Sequence, residues 1–294
     1  MNLSARAVER FFFFSALCGA AACLLILGFL IYLGRPVLRG DFLLHLLVDP
    51  WCPDRGLYGI GAMLAGTLYI ALLGLFLALP ASLGSAILIA VFRPRFWGRL
   101  LEKTVQFMAG LPTVVLGFVG VFLLVPWLRE HFEAGSGRCV LAAAIGLALL
   151  LTPTLVLFFC DAFRRVPESW LRAGAALGCT RSELFFHIVL PHSRRGLAAG
   201  VILAFGRAVG DTMIPLMLAG NAVAAPSSPL APARTLTAQI ALLFAADFDS
   251  REFKIIFACG LLLYLISLAA TLLVRALSRD FGRDPGGCRE EIER

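Results

Sequence analysis

Two charged side chains sit inside an otherwise apolar run. Arg207 and Asp211 lie within LAAGVILAFGRAVGDTMIPLMLA, residues 197–219. Four residues apart on a helix, they share one face. A hydrogen-bonded pair between them offsets the cost of carrying charge into an apolar medium. Two readings stand open. As structural glue, the pair locks two helices together. As an anion station, the planar guanidinium of Arg207 matches the oxygens of a tetrahedral oxyanion. An ionised Asp211 then accepts a hydrogen bond from an anion that keeps a proton near neutral pH, as phosphate does, and repels sulfate, which has none. Nearby polar groups complete such a site. Thr212 offers a hydroxyl, and Asn221 caps the helix end. Further back, Pro112 frees a backbone carbonyl, Gly110 permits close approach and Thr113 adds a hydroxyl. An interrupted helix of this kind can form a midplane site. Pro112, Pro153 and Pro215 also read as packing kinks.

A second group of residues points to mechanical work. Residues 161–196 are polar and basic, yet too apolar for a tether. Pro167 suits a helix start, and Glu168 suits its first turn. Trp170, Leu171 and Ala175 supply an apolar face, and Gly178 supplies a stop. Thr180 with Glu183 makes a capping-box pattern for a second short helix, which Pro191 ends. The segment reads either as an amphipathic pair at the membrane surface or as a docking element that passes a push from a soluble partner.

The elements that must position these groups are membrane crossings. The chain has 294 residues, 60% apolar and only 15% charged, with a mean hydropathy of +0.87. Soluble domains have about 45–50% apolar and about 25% charged residues. Crossing helices need about 20 apolar residues each, and six are expected: 11–33, 60–92, 104–128, 139–160, 197–219 and 253–277. The second exceeds one crossing, so it must tilt or break near Pro80. The third contains the Gly110–Thr113 interruption. A short polar turn joins the third to the fourth over 129–138. A short interfacial segment is expected over 42–47, and a re-entrant or surface helix over 235–245. The tail 278–294 is polar. Gly66, Gly74, Gly84, Gly117 and Gly120 suit close helix packing.

With the N-terminus inside, the inner segments hold 17 basic residues and the outer segments eight. That bias places both termini in the cytoplasm. The net charge of +7 therefore reads as topology rather than nucleic-acid binding. The eight cysteines form no CxxC pair and the four histidines are scattered, which argues against a disulfide framework or a metal site. No GxxxxGK[ST] run is present to bind ATP. No Ser/His, paired-Asp or HExxH set suggests an intramembrane enzyme.

The loop 161–196 resembles that of ABC importer permeases, whose pattern is EAA, three residues, Gly, nine residues, Ile, one residue, Leu-Pro. Gly178, Ile188, Leu190 and Pro191 stand at that spacing. The family's Glu-Ala-Ala falls on Arg172, Ala173 and Gly174, of which only the middle residue agrees. The likeness is closer to the phosphate-specific branch. It extends over GTLYIALLGLFLALPASLGSAI at 66–87, AGLPTVVLGFVGVFLLVP at 109–126, GVILAFGRAVGDTMIPLMLAGN at 200–221 and RTLTAQIA at 234–241.

The resemblance implies an all-α integral membrane protein with the six-helix type I importer fold, in the bacterial inner membrane. It implies a PstA-like second permease, two PstB-like ATPase subunits and a PstS-like external phosphate-binding protein. ATP and Mg would sit on the ATPase, with no cofactor on this chain. Arg207, Asp211, Thr212, Thr113 and Asn221 would line the substrate path. Glu168, Arg172, Ala173, Gly174, Gly178, Ile188, Leu190 and Pro191 would couple to the ATPase. The expected division is a first helix and external loop over 1–59, a permease core over 60–277 and a cytoplasmic tail over 278–294. Permeases for sulfate, molybdate or tungstate share the loop but need no acid beside the arginine. A stand-alone secondary transporter or channel would leave that loop without a purpose.

Overall fold

The computed structural model describes residues 3–38, 42–92, 96–132, 135–244 and 250–279. The basic residues Arg93 and Arg95 and the expected tail beyond Arg279 lie outside the described residues.

Helix α1 (Leu3–Leu38) carries the first crossing and packs against the last helix, where Phe29 meets Phe257 edge-on at 5.9 Å. Most of its described side chains are exposed, as suits a surface facing lipid. Helix α2 (Phe42–Val48) follows as the expected short segment. A two-stranded hairpin, β1 (Trp51–Cys52) with β2 (Leu57–Tyr58), has no clear signal in the sequence. It turns on Gly56, whose φ of 71° is open to glycine at little steric cost.

Helix α3 (Gly61–Ile87) runs through Pro80 without a break and ends in a π-helical turn at Leu88–Phe92. Pro80 loses one backbone bond, but the irregularity falls at the helix end. The third crossing also differs from expectation. Helix α4 (Trp97–Ala109) is a separate amphipathic helix whose Glu102 pairs with Arg164 at 3.3 Å. The crossing itself starts at α5 (Thr113–Val119), passes a π-helical turn at Gly120–Leu124 and ends in α6 (Val125–Phe132). The Gly110–Pro112 interruption therefore precedes the crossing instead of dividing it. Pro112 is extended (ψ 139°) and starts the helix, and the carbonyl that its missing N–H would leave open, Met108 O, accepts from Leu111 N at 3.2 Å.

Helix α7 (Val140–Arg164) opens on Cys139, whose sulfur accepts from Ala142 N. Helix α8 (Glu168–Ala176) is followed by α9 (Arg181–Leu184), a π-helical turn at Phe185–Val189 and α10 (Leu190–Gly210) in one unbroken run. Pro191 does not end a helix. It lies inside the continuous run, at the junction of the π-helical turn and α10, where the ladder of backbone bonds changes register. The helix that carries the fifth crossing thus begins at Arg181, and Leu197, the expected start of the crossing, lies within it. Helices α11 (Met213–Leu218), α12 (Leu236–Leu243) and α13 (Arg251–Arg279) complete the chain.

Among the described residues, six helices are long and apolar enough to cross a membrane: 8–35, 61–92, 113–132, 140–164, 181–210 and 251–276. The core forms where α3 packs on α7, with α10 against both. Ile70, Leu147, Leu151, Leu155 and Phe159 are buried there. Gly74 lets α3 approach Ala144 and Leu147, while Gly120 and Gly146 make room for Leu218. Gly84 has nothing within 4 Å and serves no such contact in this chain. A smaller cluster of Leu46, Ile60, Met63, Leu236 and Ile255 joins α2, α3, α12 and α13.

Candidate functional site

The fifth crossing does not continue to Ala219. It ends at Gly210, and Asp211 turns extended with ψ 130°. Asp211 Oδ2 accepts from Ile214 N at 3.0 Å, so its side chain caps α11. A carboxylate is among the best acceptors for such an orphan amide. Because Asp211 has left the helix, it no longer shares a face with Arg207, and no ion pair joins them among the described residues. Arg207 instead donates from Nη1 to Thr154 Oγ1 on α7 at 2.9 Å. The guanidinium is exposed in the single chain. At membrane depth such a charge faces a cavity or another subunit rather than lipid. Thr154 is a site residue that sequence reasoning missed, and the Thr152–Pro153–Thr154 cluster in an apolar helix was the available signal.

The other expected path residues gather unevenly. Thr212 follows Asp211 at the break, half-buried. Asn221 caps the far end of α11, with Nδ2 donating to Leu216 O at 2.8 Å, and takes the left-handed φ of 57° that asparagine tolerates. Thr113 starts α5, one turn before Gly117, whose Cα lies against Met213 and Met217 of α11. Among the described residues no hydrogen bond joins Thr113 to Arg207 or Asp211.

Residues 219–235 close over this region as a tied segment. Ala233 N donates to Ala219 O at 2.8 Å, and Asn221 N donates to Ala233 O at 3.0 Å. Thr235 caps α12, and Thr237 Oγ1 donates to Asp211 O at 3.0 Å, so α12 is fastened to the break itself. Arg234 donates to Asn221 O at 2.9 Å and to Gln239 Oε1 at 2.8 Å. Burial holds its guanidinium below the ordinary arginine range, and it stays charged.

At the opposite end of the crossing lies the expected coupling element. Glu168 stands in the first turn of α8 and pairs with Arg172 at 2.6 Å. Gly178, at φ 84°, ends the helix. Cys179 N donates to Gly174 O at 3.1 Å and Gly178 N to Ala175 O at 3.0 Å, which is the double closure of a Schellman motif. Thr180 and Glu183 form the capping box. Gly174 is buried, and a Cβ there would run into Leu184 and Ile188, so α8 packs tightly on the next helix. Arg172 and Ala173 are exposed, as is Leu177 at 85%. Ile188 and Leu190 are half-buried behind them, and Pro191 is exposed.

Comparisons with known proteins bear on this architecture. A family model described as "binding-protein-dependent transport system inner membrane component" matches residues 82–283. The chain is 30% identical over 239 residues to a probable ABC transporter permease protein, YqgH, of Bacillus subtilis, covering 81% of this chain and 77% of that one. It is 29% identical over 270 residues to a probable phosphate transport system permease protein, PstC, of Methanocaldococcus jannaschii, with 85% of each covered. The fold matches the MetNI methionine ABC transporter in an inward-facing form, with a TM-score of 0.58 at 19% identity, over 81% of this chain and 99% of that one.

Proposed function

This chain belongs to the family of binding-protein-dependent transport system inner membrane components, and from that premise we propose that it forms the path for inorganic phosphate through the membrane. It is a non-catalytic, multi-pass inner-membrane permease subunit of an ABC-type importer and couples to a separate ATPase. The phosphate reading rests above all on Arg207. Its guanidinium is held by the neutral hydroxyl of Thr154 and is not neutralised by Asp211, so the positive charge remains available to an anion. Asp211 uses Oδ2 as a helix cap, within the same break. A protonated oxyanion that accepts from Arg207 and donates to Asp211 satisfies both groups. Relatives named PstC support this assignment.

In this reading both termini are cytoplasmic, and the partners are a PstA-like permease, two PstB-like ATPases and a PstS-like external binding protein. Thr212, Thr113 and Asn221 line the path, while residues 168–191 dock on the ATPase. The first helix with its hairpin, the core over 60–277 and the tail over 278–294 act as the three parts of the chain. The deciding experiment is ATP-driven uptake of labelled phosphate by vesicles that contain the whole complex. Stimulation of the partner ATPase by sulfate, molybdate or tungstate, with none by phosphate, would reassign the substrate. Transport without ATP or partners would favour a secondary transporter.

A further inference from the structure

Helix α4 has more apolar surface than its neighbours cover. The 3.6-residue period gathers its apolar residues into one broad arc. One flank of that arc packs on α7: Gly98 and Val105 are buried, and Leu101 is half-buried against the core. The other flank is bare. Trp97, Leu100 and Phe107 are 65%, 47% and 71% exposed, and Phe96, just before the helix, is 69% exposed. The polar edges of the helix differ in sign. Glu102, its one acid, borders the covered flank and pairs with Arg164 at the end of α7. Arg99 and Lys103 border the bare flank, and with Phe96 and Leu100 they line a shallow cavity of about 330 Å³. Among the described residues that lining holds two cations and no carboxylate. Like charges at this i,i+4 spacing repel, and an anion between them offsets the repulsion.

The fold fixes where this cavity lies. Helix α4 has 13 residues, about 20 Å, too short to cross a hydrocarbon core of about 30 Å. Residues 93–96 and 110–112 are its only links to the crossings before and after it, so it lies at the membrane surface. The Glu102–Arg164 pair, and Arg181 donating to Phe92 O at 2.9 Å, set it at the same end of the bundle as α8 and α9. We propose that Arg99 and Lys103 bind the headgroup of an anionic phospholipid whose acyl chains lie over Phe96, Leu100 and Phe107. The phosphodiester supplies negative charge between the two cations, and Trp97 sits at headgroup depth. A zwitterionic lipid brings its own ammonium to the same cations and fits less well. Basic residues beside an aromatic flank are the composition of a helix lying on a membrane, whereas lysine is depleted from the core of protein–protein contacts. Helix α4 thus acts as a bracket, its acidic edge holding α7 and its basic edge holding lipid.

The inference needs neither the phosphate reading nor the assigned topology, since the test vesicles carry the same lipids in both leaflets. They hold the complete complex in equal parts of phosphatidylglycerol and phosphatidylcholine with matched chains. Leu100→p-benzoylphenylalanine is photoactivated and its adducts are identified by mass. Phosphatidylglycerol adducts should exceed phosphatidylcholine adducts about fivefold or more. Adding Arg99→Gln with Lys103→Gln should bring that ratio below about twofold. Lys103→Gln alone should lower it about twofold or more, and it decides the matter where the double change prevents assembly. A ratio near one in the otherwise unchanged chain, or a ratio that both sets of changes leave intact, overturns the proposal. So does a main adduct with another subunit, which makes the flank a protein contact, or the absence of any adduct, which leaves it in water. Loss of the preference in a millimolar excess of inorganic phosphate also overturns it, because the cations then hold a free anion rather than a lipid.

Discussion

Arg207 hydrogen-bonds Thr154 across to the neighbouring helix at 2.9 Å, although a carboxylate stands only four residues further along its own chain. The break at Asp211 is the reason: once ψ opens to 130°, the carboxylate turns to the amide of Ile214. The crossing therefore keeps a positive charge that a helical pair would have cancelled. Arg207→Ala should abolish phosphate uptake. Arg207→Lys should recover little, since one ammonium cannot reproduce the planar fork. Thr154→Ala removes one positioning hydrogen bond and should raise half-saturation about fivefold, equivalent to about 1 kcal/mol. Labelled uptake by vesicles, with assembly verified, measures all three, and wild-type transport by Arg207→Ala would refute the assignment.

Asp211 has two tasks that one substitution can separate. Asn is as good a helix cap as Asp, so Asp211→Asn should keep α11 in place while removing the charge that repels sulfate. Discrimination should fall by about 1.5–3 kcal/mol as sulfate begins to compete. Asp211→Ala also loses the cap and should destabilise the break by about 1 kcal/mol. If sulfate competes no better against Asp211→Asn than against wild type, the carboxylate does not read the anion's proton.

The coupling element invites a test that leaves the substrate path untouched. Gly178 has a φ of 84° and open space where a Cβ would point, so Gly178→Val would be strained by its backbone rather than by a clash. The strain, about 1–2 kcal/mol, falls on the Schellman closure that aims α8. The expected result is ATPase activity that no longer follows phosphate, in a chain that still inserts. Cross-linking from exposed Ala175 to the ATPase should succeed in the wild type and fail in the variant. Tight coupling in Gly178→Val would show that the turn does not set the docking geometry.

Two cysteines report orientation. Cys52 sits in the hairpin between the first two crossings and Cys179 in the turn between α8 and α9, both half-buried. In single-cysteine variants an impermeant thiol reagent should reach Cys52 in intact cells and Cys179 only after permeabilisation. The reverse pattern would invert the topology drawn from the basic residues.

The number of crossings and most of their limits follow from the sequence alone, because hydrocarbon demands long apolar runs whatever their neighbours. The turn at Gly178 and the box of Thr180 with Glu183 are equally legible, since each involves residues within a few positions of one another. The sequence places the third crossing too early, because Trp97–Ala109 is apolar on one face and periodicity does not say whether that face meets lipid or α7. The continuous run at Arg181–Gly210 is hidden by Pro191, which reads as a stop but sits inside the run just after the π-helical turn. At the site, Gly210-Asp211-Thr212 followed by Pro215 carries a cap signal, yet the apolar run around it favours an unbroken helix. Nothing local in the sequence pairs Arg207 with Thr154, Thr237 with Asp211 or Arg234 with Asn221. Those contacts exist because α7, α10 and α12 meet around the break, and only tertiary packing decides which polar groups an apolar interior brings within reach of one another.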